Sequence, residues 1–169
     1  MVPVNDDAGF CLWLSGQPAS VVASIARAAA LELGHHRPVE EVGLGLEWLA
    51  GAEPDLRWRV LAHLARTLVA HGVVVVLATD PPREGWRVEV RQVVPRLVEA
   101  HVGRTGGDGR GDSERAPEVL VDGDGARAGE SARVVLRYLA AAGYSEPIDE
   151  YTDDDEAAVS GRLQAFGYL

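Results

Sequence analysis

Lysine is missing from this 169-residue chain: all sixteen basic residues are arginine. No site in it can use an ε-ammonium as a phosphate-gripping cation. Cysteine is almost missing too. Cys11 stands alone, so an internal disulfide is excluded, and its place in an apolar run makes it a small buried hydrophobe rather than a nucleophile. Long apolar runs are absent, the longest being residues 73–78, which is far too short to cross a bilayer. Residues 1–7 carry neither the basic nor the apolar region of a secretory signal. A cytoplasmic chain with no membrane partner is the expectation. Positive charge is in short supply as well, with a formal net charge of −10 and arginines scattered among acids. Nucleic-acid binding needs a basic stripe that displaces counterions, so that class of partner is excluded. The five histidines show no metal-ligand spacing with Cys11 or the acids, and no metal is expected.

What is present is an alternation. Short β-rich runs at 10–15, 39–42, 73–78, 97–102 and 118–121 are separated by helical patterns at 19–33, 44–50, 55–70, 86–94 and 128–142. That order predicts an α/β fold in which a five-stranded parallel sheet is wound with crossover helices. Val73-Val74-Val75-Val76 is apolar on both faces, as a central strand covered on both sides must be. In the third helical pattern Leu56, Val60, Leu61, Leu64 and Leu68 recur at spacings of three and four and predict one apolar face, with Gly72 as its C-terminal cap.

The length suits one domain over residues 1–144 with a tail at 145–169. Residues 103–116 are glycine-rich and charged, too poor in apolar surface to offset the entropy of ordering them, and read as a flexible loop. Arg110-Gly111-Asp112 within it is a chance tripeptide, and Val121-Asp122-Gly123-Asp124-Gly125 is a turn lacking the further ligands of a calcium loop. The tail is acidic. Thr152 followed by Asp153, Asp154 and Asp155 predicts a helix start, with Val159, Leu163 and Phe166 on one face; it either packs on its own domain or docks a partner.

One segment carries chemistry by its context. Ser15-Gly16-Gln17-Pro18-Ala19-Ser20-Val21-Val22-Ala23-Ser24 lies where a strand enters a helix, the place of a phosphate-binding loop. Such a loop needs glycines so that backbone amides can approach phosphate, a lysine for the outer phosphates and a hydroxyl on magnesium. Gly16 is the one glycine kept. Ala19 and Val21 replace the others, Val22 stands at the lysine and Ala23 at the hydroxyl, while Gln17, Ser20 and Ser24 are the polar groups left.

Taken in order, these pieces resemble adenylyl-sulfate kinase, a P-loop kinase that phosphorylates adenylyl sulfate with ATP and magnesium. The matching residues are Gly9-Phe10, Trp13 and Gly16, then Ile25-Ala26-Arg27-Ala28, Gly72 to Val76, Pro81-x-Arg83-Glu84, Val98-Glu99, Pro117-Glu118-Val119-x-Val121-Asp122, Glu130-Ser131-Ala132, Tyr138-Leu139 and Gly143-Tyr144. The resemblance implies a three-layer P-loop-kinase-like fold. It also implies where the family's functional residues belong, and there the pattern departs. The family's Asp-Gly-Asp falls at about Gly43-Leu44-Gly45, and its Asp-Arg-x-x-Asn falls at Glu53 to Arg57, with Arg59 aligned to a basic position of the same helix. Its lid is replaced by the short loop at 103–116. Catalytic residues, ATP and magnesium are accordingly not expected.

Two readings of function remain. One is a non-catalytic binding, regulatory or accessory protein, with a protein partner or a second copy of itself; Trp48, Trp58 and Trp86 are then interface anchors, unless they are core residues. The other is a repurposed enzyme or ligand-binding protein that takes a small anionic molecule at the carboxyl ends of the strands. Arg59, Asp80 and Arg83 are its candidates. Asp80 is otherwise a turn residue before Pro81-Pro82, and Arg83 a salt-bridge partner of Glu84 or Glu89.

Overall fold

The computed structural model describes residues 8–43, 51–103, 117–123 and 127–146. Nine elements follow in the order β1 (Cys11–Gly16), α1 (Ala19–Leu33), β2 (Val39–Gly43), α2 (Pro54–Ala70), β3 (Val74–Thr79), α3 (Glu84–Val93), β4 (Leu97–Gly103), β5 (Val119–Asp122) and α4 (Ala128–Ala141). The strands form one sheet in the order β2-β3-β1-β4-β5, and every neighbouring pair is parallel, as the alternation of elements predicts. The expected helix at 44–50, the expected loop at 103–116 apart from Gly103, which ends β4, and the expected tail at 145–169 apart from its first two residues lie outside the described residues.

The strand alternation sorts the core into two halves. Leu12 and Leu14 of β1 with Val74 and Val76 of β3 face α1 and α4, packing on Ile25, Ala29, Val135 and Leu139. Cys11, Trp13, Val75 and Leu77 point the other way, onto Trp58, Leu61 and Ala65 of α2 and Val90 of α3. Both faces of the central strands are therefore covered, which is why they read as unbroken apolar runs. Burial pushes the Cys11 thiol up to about 12, so it is inert as a nucleophile.

One sequence expectation needs refinement. The buried stripe of α2 is Trp58, Leu61, Ala62, Ala65 and Val69, which shares Leu61 with the expected face and is centred to one side of it. Leu56 is 53% exposed, while Val60, Leu64 and Leu68 flank the stripe. Small alanines at the contact let the helix lie close to the sheet, and the leucines fill its margins. Trp58 is buried within the same cluster, its ring tilted by 59° against Trp13 at 5.3 Å, so of the two expected readings it takes the core one and is not an interface anchor. Gly72 does terminate α2, following the cap residue His71 with φ +80 and its N–H donating to the carbonyl of Val69 at 3.1 Å.

The amino end of the sheet is clasped by Arg37. Its guanidinium donates to the carbonyls of Ala8 and Tyr144, at 3.0 and 3.2 Å, and lies over Phe10. The two described ends of the domain thus meet on the side opposite the carboxyl ends of the strands, where ligands of such sheets bind.

Candidate functional site

At the carboxyl end of β1 the chain turns through Gln17 and Pro18 and is helical from Ala19 onward. The N–H groups of Val21 and Val22 both donate to the carbonyl of Pro18, at 3.0 and 3.2 Å, so these two amides close a helical turn. Val22 is 1% exposed and packs in the core with Leu14, Ile25 and Ala26. Gln17, Ser20, Ala23 and Ser24 are exposed. The Ser24 hydroxyl is engaged locally, donating to the carbonyl of Ser20 at 2.9 Å. Gly16 has a structural reason to be glycine: a Cβ there would strike the carbonyl oxygen of Val102 on β4.

A cleft of about 150 Å³ lies nearby, lined by Pro54, Arg57, Trp58, Asp80, Pro81 and Trp86. It forms because the turn after β3 and the start of α3 stand against the N-terminal turn of α2. Trp86 is half-buried and stacks on Trp58 with centroids 5.2 Å apart, while its indole N–H donates to Asp55 at 2.8 Å. The Arg83 guanidinium sits over the Trp86 ring at 4.9 Å. The expected alternative for Arg83 does not hold, because Glu84 pairs with Arg87 and Glu89 with Arg59.

The structure therefore places Asp80 in the lining of the cleft and Arg83 over its Trp86 wall, and leaves Arg59 outside, in an exposed ion pair of 3.2 Å with Glu89. Sequence reasoning missed Pro54, Arg57 and the aromatic wall. Tryptophans at 58 and 86, far apart in sequence, gave no sign that they would stack.

It also missed the polar cluster beneath α3. Glu99 on β4 is 2% exposed yet accepts two hydrogen bonds from Arg87, at 2.8 and 3.0 Å, and one from Arg91 at 2.8 Å. Arg91 also bonds both oxygens of Glu118, whose carboxylate accepts the backbone N–H of Glu99 at 2.8 Å. Burial raises the Glu118 carboxyl, but the Arg91 hydrogen bond, the Glu99 amide and the Arg91 charge outweigh it, and the group titrates below its ordinary value. A signal was present, since arginines at 83, 87 and 91 recur every four residues.

His101, one residue outward on the same face of β4, is shifted downward. Desolvation is the main cause, offset by the charge of Glu99 and reinforced by that of Arg87. Both shifts act in one direction on stability. A histidine lowered from 6.5 binds its proton more readily when unfolded, so its contribution is whole above that value and is lost as pH falls below it. The lowered Glu118 adds a second loss as pH falls below 4.5. Urea unfolding followed from about pH 8 downward should show both, and His101→Gln should flatten only the first.

No family model matches the chain. Among curated proteins, the adenylyl-sulfate kinase of Myxococcus xanthus is 34% identical over 95 residues, covering 51% of either chain. A "Probable adenylyl-sulfate kinase" of Archaeoglobus fulgidus is 24% identical over 155 residues, covering 68% of this chain and 96% of its own. Both curated relatives are named as adenylyl-sulfate kinases, one of them as probable. It spans about half the length of the Myxococcus adenylyl-sulfate kinase. Solved adenylyl-sulfate kinases share the fold. The hexameric enzyme of Thiobacillus denitrificans superposes with a TM-score of 0.68 at 21% identity, over 85% of this chain and 31% of its own. The enzyme of Mycobacterium tuberculosis, solved with AMPPNP and APS, gives 0.63 at 18% identity, over 78% and 98%. Among the described residues no helix is long and apolar enough to cross a membrane, and no three His, Cys, Asp or Glu side chains group as metal ligands.

Proposed function

We propose that this relative of the adenylyl-sulfate kinases is catalytically degenerate and works as a binding, regulatory or accessory protein. The observation that carries the reading is Val22. At the position where the family places its phosphate-binding lysine, this chain has an apolar side chain packed into the core, in a turn whose amides at 21 and 22 are already bonded to Pro18. Ala23 next to it offers no hydroxyl for a metal. These residues do not fit magnesium–ATP, and no phosphoryl-transfer step can be routed through them. The relatives are named as kinases, so retained kinase chemistry is the outcome to test against.

Calorimetric titration with ATP, ADP and adenylyl sulfate, each with and without magnesium, is the direct experiment. The proposal expects no magnesium-dependent ATP binding, and tight binding of that kind overturns it. The partner is a protein of another kind or a second copy of this chain. The hexameric state of the Thiobacillus neighbour supports including self-association, which light scattering reads.

A second reading is favoured by one finding, Asp80 in the lining of the tryptophan-walled cleft with the Arg83 guanidinium over its Trp86 wall. There the chain binds a small phosphate- or sulfate-bearing molecule, with Arg83 holding the anion. Any ligand found by the titrations should weaken about tenfold or more in Arg83→Ala; unchanged affinity removes this reading.

A further inference from the structure

Little apolar surface holds α3 in place, although it forms one wall of the cleft. Val90 is the one residue of the helix that is buried, with Val94 just beyond its end. Val93 packs half-buried beside them, and the rest of the helix's attachment is aromatic and polar. Toward α2, Trp86 stacks on Trp58 and bonds Asp55, and Glu89 meets Arg59. Toward the sheet, Arg87 and Arg91, one turn apart, reach down to the buried carboxylate of Glu99. Trp86 adjoins Arg87 in the chain and Arg83 lies one turn before it, so the anchoring of the Arg87 guanidinium decides where both stand relative to Pro54 and Asp80. A fork bound through two nitrogens to two oxygens fixes angle as well as distance.

We propose that Glu99 is a positioning residue for the cleft, setting through Arg87 the place of Trp86 and Arg83. The carboxylate touches nothing in the cleft itself. It acts from the far side of α3, and the burial of a charged group at the middle of a strand, held by two cations from one helix, is what this task requires. The inference stands whether or not the chain retains kinase activity.

The test uses Arg87→Lys in the full chain. Lysine keeps the charge opposite Glu99 but cannot form the two-pronged contact, so it separates geometry from charge neutralisation. Acrylamide quenching of Trp86, isolated by subtracting the signal of Trp86→Phe, reads the wall directly. Quenching in the folded protein should rise about twofold or more in Arg87→Lys, while the urea midpoint stays near wild type. Glu99→Gln should show the same rise. If quenching in folded Arg87→Lys equals wild type, or changes only through the unfolding transition, the proposal is overturned, whatever Glu99→Gln does.

Discussion

Val22→Lys should destabilise the protein strongly and should not yield a kinase. Position 22 is 1% exposed and belongs to an apolar cluster with Leu14, Ile25 and Ala26. An ammonium forced there loses its hydration and gains no partner, a cost of more than about 3 kcal/mol. That is a large share of the roughly 5–15 kcal/mol that holds a domain of this kind together. Two companions calibrate the result. Val22→Ala removes two buried methyls and should cost about 1–3 kcal/mol, and Val22→Met, which only adds bulk, about the same or less. Chemical denaturation should therefore rank lysine as the worst of the three. The lysine deficit should also shrink as pH rises toward about 10, because a buried amine has a depressed pKa and stability is lost as pH falls through it. If Val22→Lys is as stable as Val22→Met, its amine has reached solvent. Position 22 would then be open to a phosphate after all.

The sheet was legible because parallel strands under two helical layers must be apolar on both faces, and the runs at 10–15 and 73–78 have no other use. The end of α2 followed from a local rule, with Gly72 just past it. The buried side of α2 was read only in part, for a physical reason. Periodicity reports which residues are apolar, whereas close approach to a sheet favours the smallest ones, and Ala62 and Ala65 won over Leu56 and Leu64. Strand order could not be read, because nothing in β1 names β3 and β4 as its neighbours.

The candidate site divides along the same line. Losses within one contiguous segment, such as Val22 and Ala23, were visible as sequence, and the structure adds where those side chains go. Sites assembled from distant segments were not visible. The cleft joins residues 54 to 58 with 80 to 86, and the carboxylate cluster joins 87 and 91 with 99 and 118. Asp80 and Arg83 were found because they sit together on one turn. Arg59 was selected by alignment to a basic position, and its guanidinium instead faces Glu89 across α2 and α3.

Glu99→Ala should be the other severe substitution, costing about 3–5 kcal/mol. The carboxylate is buried, and both of its arginines are mostly so, with side chains 12% and 18% exposed. Removing it takes from Arg87 both of its short carboxylate contacts, the one to Glu84 being longer at 3.4 Å. Arg91 suffers less, since Glu118 still binds it through both oxygens. The penalty belongs to the broken pair and not to any large net gain from making it, because desolvating both charges offsets most of their attraction. That distinction is testable. Glu99→Leu combined with Arg87→Met replaces the pair by apolar groups of similar volume and should recover most of the stability lost in Glu99→Ala, as judged by urea midpoints. A double variant no better than Glu99→Ala would mean that the ion pair itself supplies net stability. The recovered protein should still show a displaced Trp86, because apolar contact restores attachment of α3 but not the angle imposed by the fork.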